Sequence, residues 1–142
     1  MKVVITGGSG FIGSHLVEHY QEKAEVVVLD NFRTGHRANL DGLKCRLVEG
    51  SILDKDLVEE LVAGADYVFH LAALVSVPES MSEPAETVRL NVLGLLNVLE
   101  ASRRAGVRKL CFASSAAVYG ENPAEVKTEG LTPDPRSPYA IT

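Results

Sequence analysis

Short β-branched runs alternate with stretches of helical period along most of the chain. Lys2-Val3-Val4-Ile5 and Glu25-Val26-Val27-Val28-Leu29-Asp30 are apolar and brief, as strands covered on both faces are. Cys45-Arg46-Leu47-Val48-Glu49-Gly50, Asp66-Tyr67-Val68-Phe69-His70-Leu71-Ala72-Ala73 and Arg108-Lys109-Leu110-Cys111-Phe112-Ala113 predict three more strands. Between them the period lengthens. The segment after Gly13 predicts a helix with Ile12, Leu16 and Val17 on one side. Asp54 predicts the N-cap of a second helix whose inner face is Leu57, Val58, Leu61 and Val62. A long helix is predicted over 84–105, with Val88, Asn91, Val92, Leu95, Leu96 and Leu99 on one side and Gly106 as its stop. Segments 31–42, 75–83 and 121–137 read as loops, and Ser137-Pro138 as the cap and first position of another helix. Strand and helix in alternation predict an α/β fold: a Rossmann-type, doubly wound parallel sheet with right-handed crossovers.

Composition narrows the classes without changing that picture. The chain has 142 residues, 46% of them hydrophobic, enough for one domain with a real core. The net charge of −5 leaves no basic stripe for nucleic acid. No apolar run approaches membrane-spanning length, and no leader precedes the first strand, so the expected location is cytoplasmic. Cys45 and Cys111 match no metal spacing and read as reduced core residues; no metal site is expected.

The chemistry gathers at strand ends. Gly7, Gly10 and Gly13 stand between the first strand and the first helix. Glycine there allows positive φ and close approach of backbone to a ligand, and the free N–H groups of a helix start favour a pyrophosphate. The plain alternative is a tight turn. Asp30 follows Gly13 by 17 residues, near where an acid meets the adenosine ribose of a dinucleotide; otherwise it is a strand-end turn former. A carboxylate there repels a 2′-phosphate and favours NAD over NADP. Arg33 and Arg37, the arginines that would accommodate NADP, read instead as solvated loop charges. His70 reads as a packed strand-end histidine. Asn91 is either a satisfied core amide or a brace for an active site. Ser114 and Ser115 leave the fifth strand, and Tyr139 opens the last helix. A tyrosine is a base at neutral pH only if its ordinary pKa of about 10 is lowered by a nearby cation. Position 143 would be one helical turn on, on the same face.

With these pieces in order, the chain resembles the N-terminal part of extended short-chain dehydrogenase/reductases, most closely the UDP-sugar 4-epimerases. The resemblance rests on Thr6-Gly7-Gly8-Ser9-Gly10-Phe11-Ile12-Gly13, Asp30-Asn31-Phe32, His70-Leu71-Ala72-Ala73, Ser76-Val77-Pro78-Glu79-Ser80 with Pro84 and Asn91, Ser114-Ser115-Ala116-Ala117-Val118-Tyr119-Gly120, and Ser137-Pro138-Tyr139. It implies NAD as cofactor. Gly7, Gly10, Phe11, Ile12 and Gly13 would cradle its pyrophosphate, and Asp30 and Asn31 would hold the ribose. Ser51, Ile52, Leu71, Ala72, Ala73, Asn91, Ser114 and Tyr139 would complete the cofactor set, with Asn91 in a supporting part. Ser115 and Tyr139 would be catalytic. The implied reaction is epimerisation at C4 of a UDP-hexose through a transient 4-keto sugar, an isomerisation that regenerates NAD. Ala116 and Ala117 stand where dehydratase relatives carry an acidic pair, and methyl groups cannot eliminate water. The alternatives are another nucleotide-sugar dehydratase, decarboxylase or reductase, or a non-catalytic NAD-binding module. The resemblance also implies a UDP-sugar partner and a homodimer formed through the 84–105 helix and the helix that begins near Tyr139. It further implies that residues 1–142 are an incomplete NAD-binding domain, without the last strands and the sugar-nucleotide domain, and inactive alone.

Overall fold

The computed structural model describes residues 1–142. Five parallel strands form one sheet: β1 (Lys2–Thr6), β2 (Glu25–Asp30), β3 (Arg46–Glu49), β4 (Tyr67–His70) and β5 (Lys109–Phe112), in the order β3-β2-β1-β4-β5. The chain winds outward from β1 first through β2 and β3, then returns to place β4 on the other side. The order reverses between β1 and β4, and the strand ends diverge there into a crevice. Alternation along β1 and β2 feeds two cores. Val3, Ile5, Val26 and Val28 pack with Val17 of α1 (Phe11–Tyr20) on one face. Val4, Val27 and Leu29 pack on the other with Val58, Leu61 and Val62 of α2 (Lys55–Val62) and with Val98 and Ala101 of α5 (Gly94–Ala105). Both faces of the central strands are thus dry, which is why their sequences are nearly unbroken runs of Val, Ile and Leu.

Local signals set the helix ends. The Asp54 carboxylate accepts the Leu57 N–H at 3.1 Å and caps α2. Gly106, at φ +67°, closes α5 in the left-handed conformation. Ser137 caps α6 (Pro138–Ile141) through the Ala140 N–H at 3.1 Å. No helix is long and apolar enough to cross a membrane.

Four expectations need correction. Segment 75–83 is not all loop: Ser76 caps a short helix, α3 (Val77–Ser82), with Pro78 in its first turn. Ile12 does not belong to the inner face of α1; it and Phe11 are exposed, while Gly13, Ser14 and Val17 face inward. The 84–105 helix is continuous but turned the other way round. It runs from α4 (Pro84–Val88) through a π-helical turn (Arg89–Leu93) into α5, and buries Thr87, Leu90, Asn91, Gly94, Val98 and Ala101. Of the stripe expected inside, only Asn91 is buried; Val88, Val92, Leu96 and Leu99 face outward. At Gly94 the helix lies close to the loop after β3: a Cβ there would stand 2.5 Å from Ile52 Cδ1. Cys111 is exposed, because β5 is an edge strand, and Cys45 is only half-buried; both are free thiols.

Candidate active site

The crevice at the carboxyl ends of β1, β2 and β4 contains a cavity of about 110 Å³. Its floor is backbone. Gly7 has φ +71°, and a Cβ on it would lie 2.7 Å from the Ala72 nitrogen. A Cβ on Gly13 would lie 2.4 Å from the Gly7 carbonyl oxygen. Both glycines therefore let segments pack closer than any side chain permits. Gly10 differs: a Cβ there would meet only the Gly7 oxygen, at 3.3 Å, and would project into the cavity that Gly10 lines. Gly10 is also the N-cap of α1. It offers no side-chain cap, and the first turn holds no acid, so the leading N–H groups and the positive end of the helix remain available to an anion.

Asp30 stands at the end of β2, buried, and lines the cavity. Its carboxylate accepts the Ser9 N–H at 3.0 Å and the Phe32 N–H at 2.8 Å, tying the glycine turn to the loop after β2. That loop is bent sharply. Phe32 sits at φ +57°, an unusual conformation for a bulky residue, held by Asp30 on one side and by the Arg37 guanidinium 4.3 Å over its ring on the other. Asn31, Ser51, Ile52, Leu71, Ala72 and Ala73 line the same cavity, and Phe11 and Ile12 do not. The two exposed side chains flank the helix start, where only their N–H groups can serve an anion. Arg33, Thr34 and Gly35 also line the wall; their place directly after Asp30 was the available signal. Arg33 is thus not simply a solvated charge. It pairs with Glu79 of α3, while Arg37 pairs with Glu49.

A second cavity, about 190 Å³, adjoins the first and shares Ala72 and Ala73 with it. Ser114, Ser115 and Tyr139 all line it, with His70, Asn91 and Phe112. Ser115 caps a single 3-10 turn (Ala116–Tyr119) by accepting the Ala117 N–H at 3.2 Å, which holds the residue at the cavity edge. Neither Ala116 nor Ala117 reaches that cavity. His70 is buried and within 2.7 Å of the Thr6 hydroxyl, whose oxygen also accepts the Ala72 N–H at 3.3 Å. Burial lowers its pKa from 6.5 to about 4, so it is a neutral packing residue at pH 7. Asn91, presented by the π-helical turn, accepts the Leu74 N–H at 2.8 Å and donates to the Leu74 carbonyl at 3.0 Å and to Thr142 Oγ1 at 3.0 Å. Thr142 in turn donates to the Tyr139 carbonyl at 3.2 Å. Both amide hydrogens of Asn91 are used within the chain, and they join the Ala72–Ala73 segment to the turn that carries Tyr139. No group of three or more His, Cys, Asp or Glu side chains is placed to hold a metal ion.

The backbone floor, the open helix start and the buried carboxylate at the end of β2 fit a dinucleotide: anion donors at the centre and an acceptor for ribose hydroxyls to one side. Comparison with known proteins points the same way. A family model described as the NAD dependent epimerase/dehydratase family matches residues 3–142. The UDP-glucose 4-epimerase of Lactobacillus helveticus is 41% identical over 145 residues, which cover 100% of this chain and 44% of that protein. Two crystal structures superpose closely. UDP-glucose 4-epimerase of Thermotoga maritima with UDP-glucose gives a TM-score of 0.91 at 40% identity, over 99% of this chain and 47% of the other. UDP-glucose 4-epimerase of Thermus thermophilus in complex with NAD gives 0.89 at 43% identity, over 99% and 47%. The chain spans about half the length of the curated relatives it matches.

Proposed function

The chain belongs to the NAD dependent epimerase/dehydratase family, and we propose that residues 1–142 belong to the NAD-binding Rossmann domain of a UDP-sugar 4-epimerase. A sugar-nucleotide domain lies outside these residues in this reading, which the share of the relatives spanned by the chain supports. The observation that carries it is the meeting of Ser115 and Tyr139 on one cavity that shares its Ala72–Ala73 wall with the glycine-turn cavity.

The N–H groups of Phe11, Ile12 and Gly13 would hold the pyrophosphate of NAD, over the backbone of Gly7 and of Gly10, whose own N–H is donated to the Gly7 carbonyl at 3.2 Å. Asp30 and Asn31 would take the ribose hydroxyls, Ser51 and Ile52 the adenine side, and Leu71, Ala72, Ala73 and Ser114 the nicotinamide side. Bound there, NAD would supply reversible hydride chemistry. Tyr139 holds and moves the proton of the sugar 4-hydroxyl, and its phenol needs a cation beside it to serve as a base at neutral pH. Ser115 hydrogen-bonds the same sugar oxygen and orients it. Asn91 fixes the turn beneath Tyr139 through Thr142. Ala116 and Ala117 carry no acid, which argues against elimination of water from the sugar at this site.

Tyr139→Phe in the full-length protein tests the assignment. Interconversion of UDP-galactose and UDP-glucose falls at least about a hundredfold while NAD stays bound; unchanged turnover refutes it. We also place the protein in the cytoplasm, in keeping with its two free thiols, and infer a homodimer. The outward stripe of Val88, Val92, Leu96 and Leu99 is the apolar face such a dimer would cover.

A further inference from the structure

The first cavity has one cationic side chain in its lining, Arg33, and that cation is already engaged. Arg33 leaves the end of β2, and its guanidinium pairs with the Glu79 carboxylate in the first turn of α3, which follows β4. β2 and β4 flank β1, so the pair spans the carboxyl end of β1, above the glycine turn. The other arginine of the loop, Arg37, is committed to Glu49 and to the Phe32 ring. Two acids on two other elements therefore occupy the two cations that lie beside Asp30.

We propose that Glu79 is a specificity-determining residue for the cofactor: it holds Arg33 across the mouth of the cavity and withholds it from the 2′-phosphate of NADP. The proposal rests on the reading of this cavity as the adenosine site. Discrimination in a site depends on what is denied to the wrong ligand as well as on what is offered to the right one. Asp30 repels the extra phosphate. Glu79 removes the one lining group able to receive it in a bidentate, charge-assisted contact. Without Glu79, Arg33 keeps its place on the wall and gains freedom to turn toward the ribose. The Glu79 side chain is exposed and its N–H caps onto Ser76 independently of the carboxylate, so Glu79→Gln removes the charge and leaves α3 intact.

Equilibrium binding of NAD and of NADP to the full-length protein tests this. Glu79→Gln raises NADP affinity by about fivefold, the upper worth of an exposed ion pair, with NAD affinity within about twofold of wild type. The double variant Arg33→Ala/Glu79→Gln returns the ratio to the wild-type value. An unchanged ratio in Glu79→Gln overturns the proposal. So does a gain that persists without Arg33, or an equal change for both cofactors, which would make the pair a simple strap. If the wild type binds NAD but the ratio does not move, only the role of Glu79 falls. If it binds neither cofactor, the adenosine site falls with it.

Discussion

Acid should weaken this protein through His70. The residue is 2% exposed, held against Thr6 and stacked on Phe112 with ring centroids 6.0 Å apart. Its pKa is pushed from 6.5 down to about 4 by burial. Between those values the unfolded chain binds a proton at this site and the folded chain does not, so stability rises with pH across that window. The contribution is fully present above about pH 6.5 and is lost as pH falls toward 4. At pH 5 about 1.5 pKa units of the gap are in play, or about 2 kcal/mol; below pH 4 the whole gap costs about 3 kcal/mol. Urea denaturation at pH 7.5, 6 and 5 reads this directly, with His70→Asn as the non-titrating reference. Wild type should lose about 2 kcal/mol more than the variant between pH 7.5 and 5. Parallel pH dependence in the two proteins would show that the imidazole titrates normally and is open to water.

Two further outcomes follow from packing and hydrogen bonding. Asn91→Ala leaves the N–H and C=O of buried Leu74 unpaired and costs about 2–4 kcal/mol, readable by thermal unfolding; turnover should fall more than NAD binding, because Tyr139 loses its tie through Thr142. Leu96→Glu, on the outward stripe, should leave subunit stability within about 0.5 kcal/mol and convert the proposed dimer to a monomer in sedimentation velocity; a persistent dimer would place the interface elsewhere.

How far the sequence could be read follows from which physical signal each element carries. β2 needed no correction, because a run of valines ending in an acid has only one way to sit in a parallel sheet. Asp54 and Ser137 were legible as caps, because capping is a local hydrogen bond. The 84–105 helix was misread in orientation for a tertiary reason. Apolar residues lie on both of its sides, and periodicity favours the larger ones. The inward side carries Leu90, Val98 and Ala101 together with Gly94, where close approach to Ile52 excludes a side chain. Nothing local announces that. Nor does anything local announce Arg33–Glu79, whose partners are 46 residues apart and meet only when β4 is placed beside β1. The place of Asp30 at the carboxyl end of β2 was legible, but its bonds to Ser9 and Phe32 were not, since they depend on how two loops fold over each other.

The segment shared by the two cavities is pinned along its length. Leu71 donates to the Thr6 carbonyl at 3.0 Å, Ala72 to the Thr6 hydroxyl, and Leu74 exchanges two hydrogen bonds with Asn91. It works as a common datum from which both cavities are measured. A disturbance of Thr6 or Asn91 moves the reference for both at once, and so shifts the two cavities together more readily than it changes the gap between them. Bulk added at Ala73 does the opposite. One extra side chain there takes volume from both compartments, and no rearrangement of either outer wall can restore the separation that the small residues at 72 and 73 maintain.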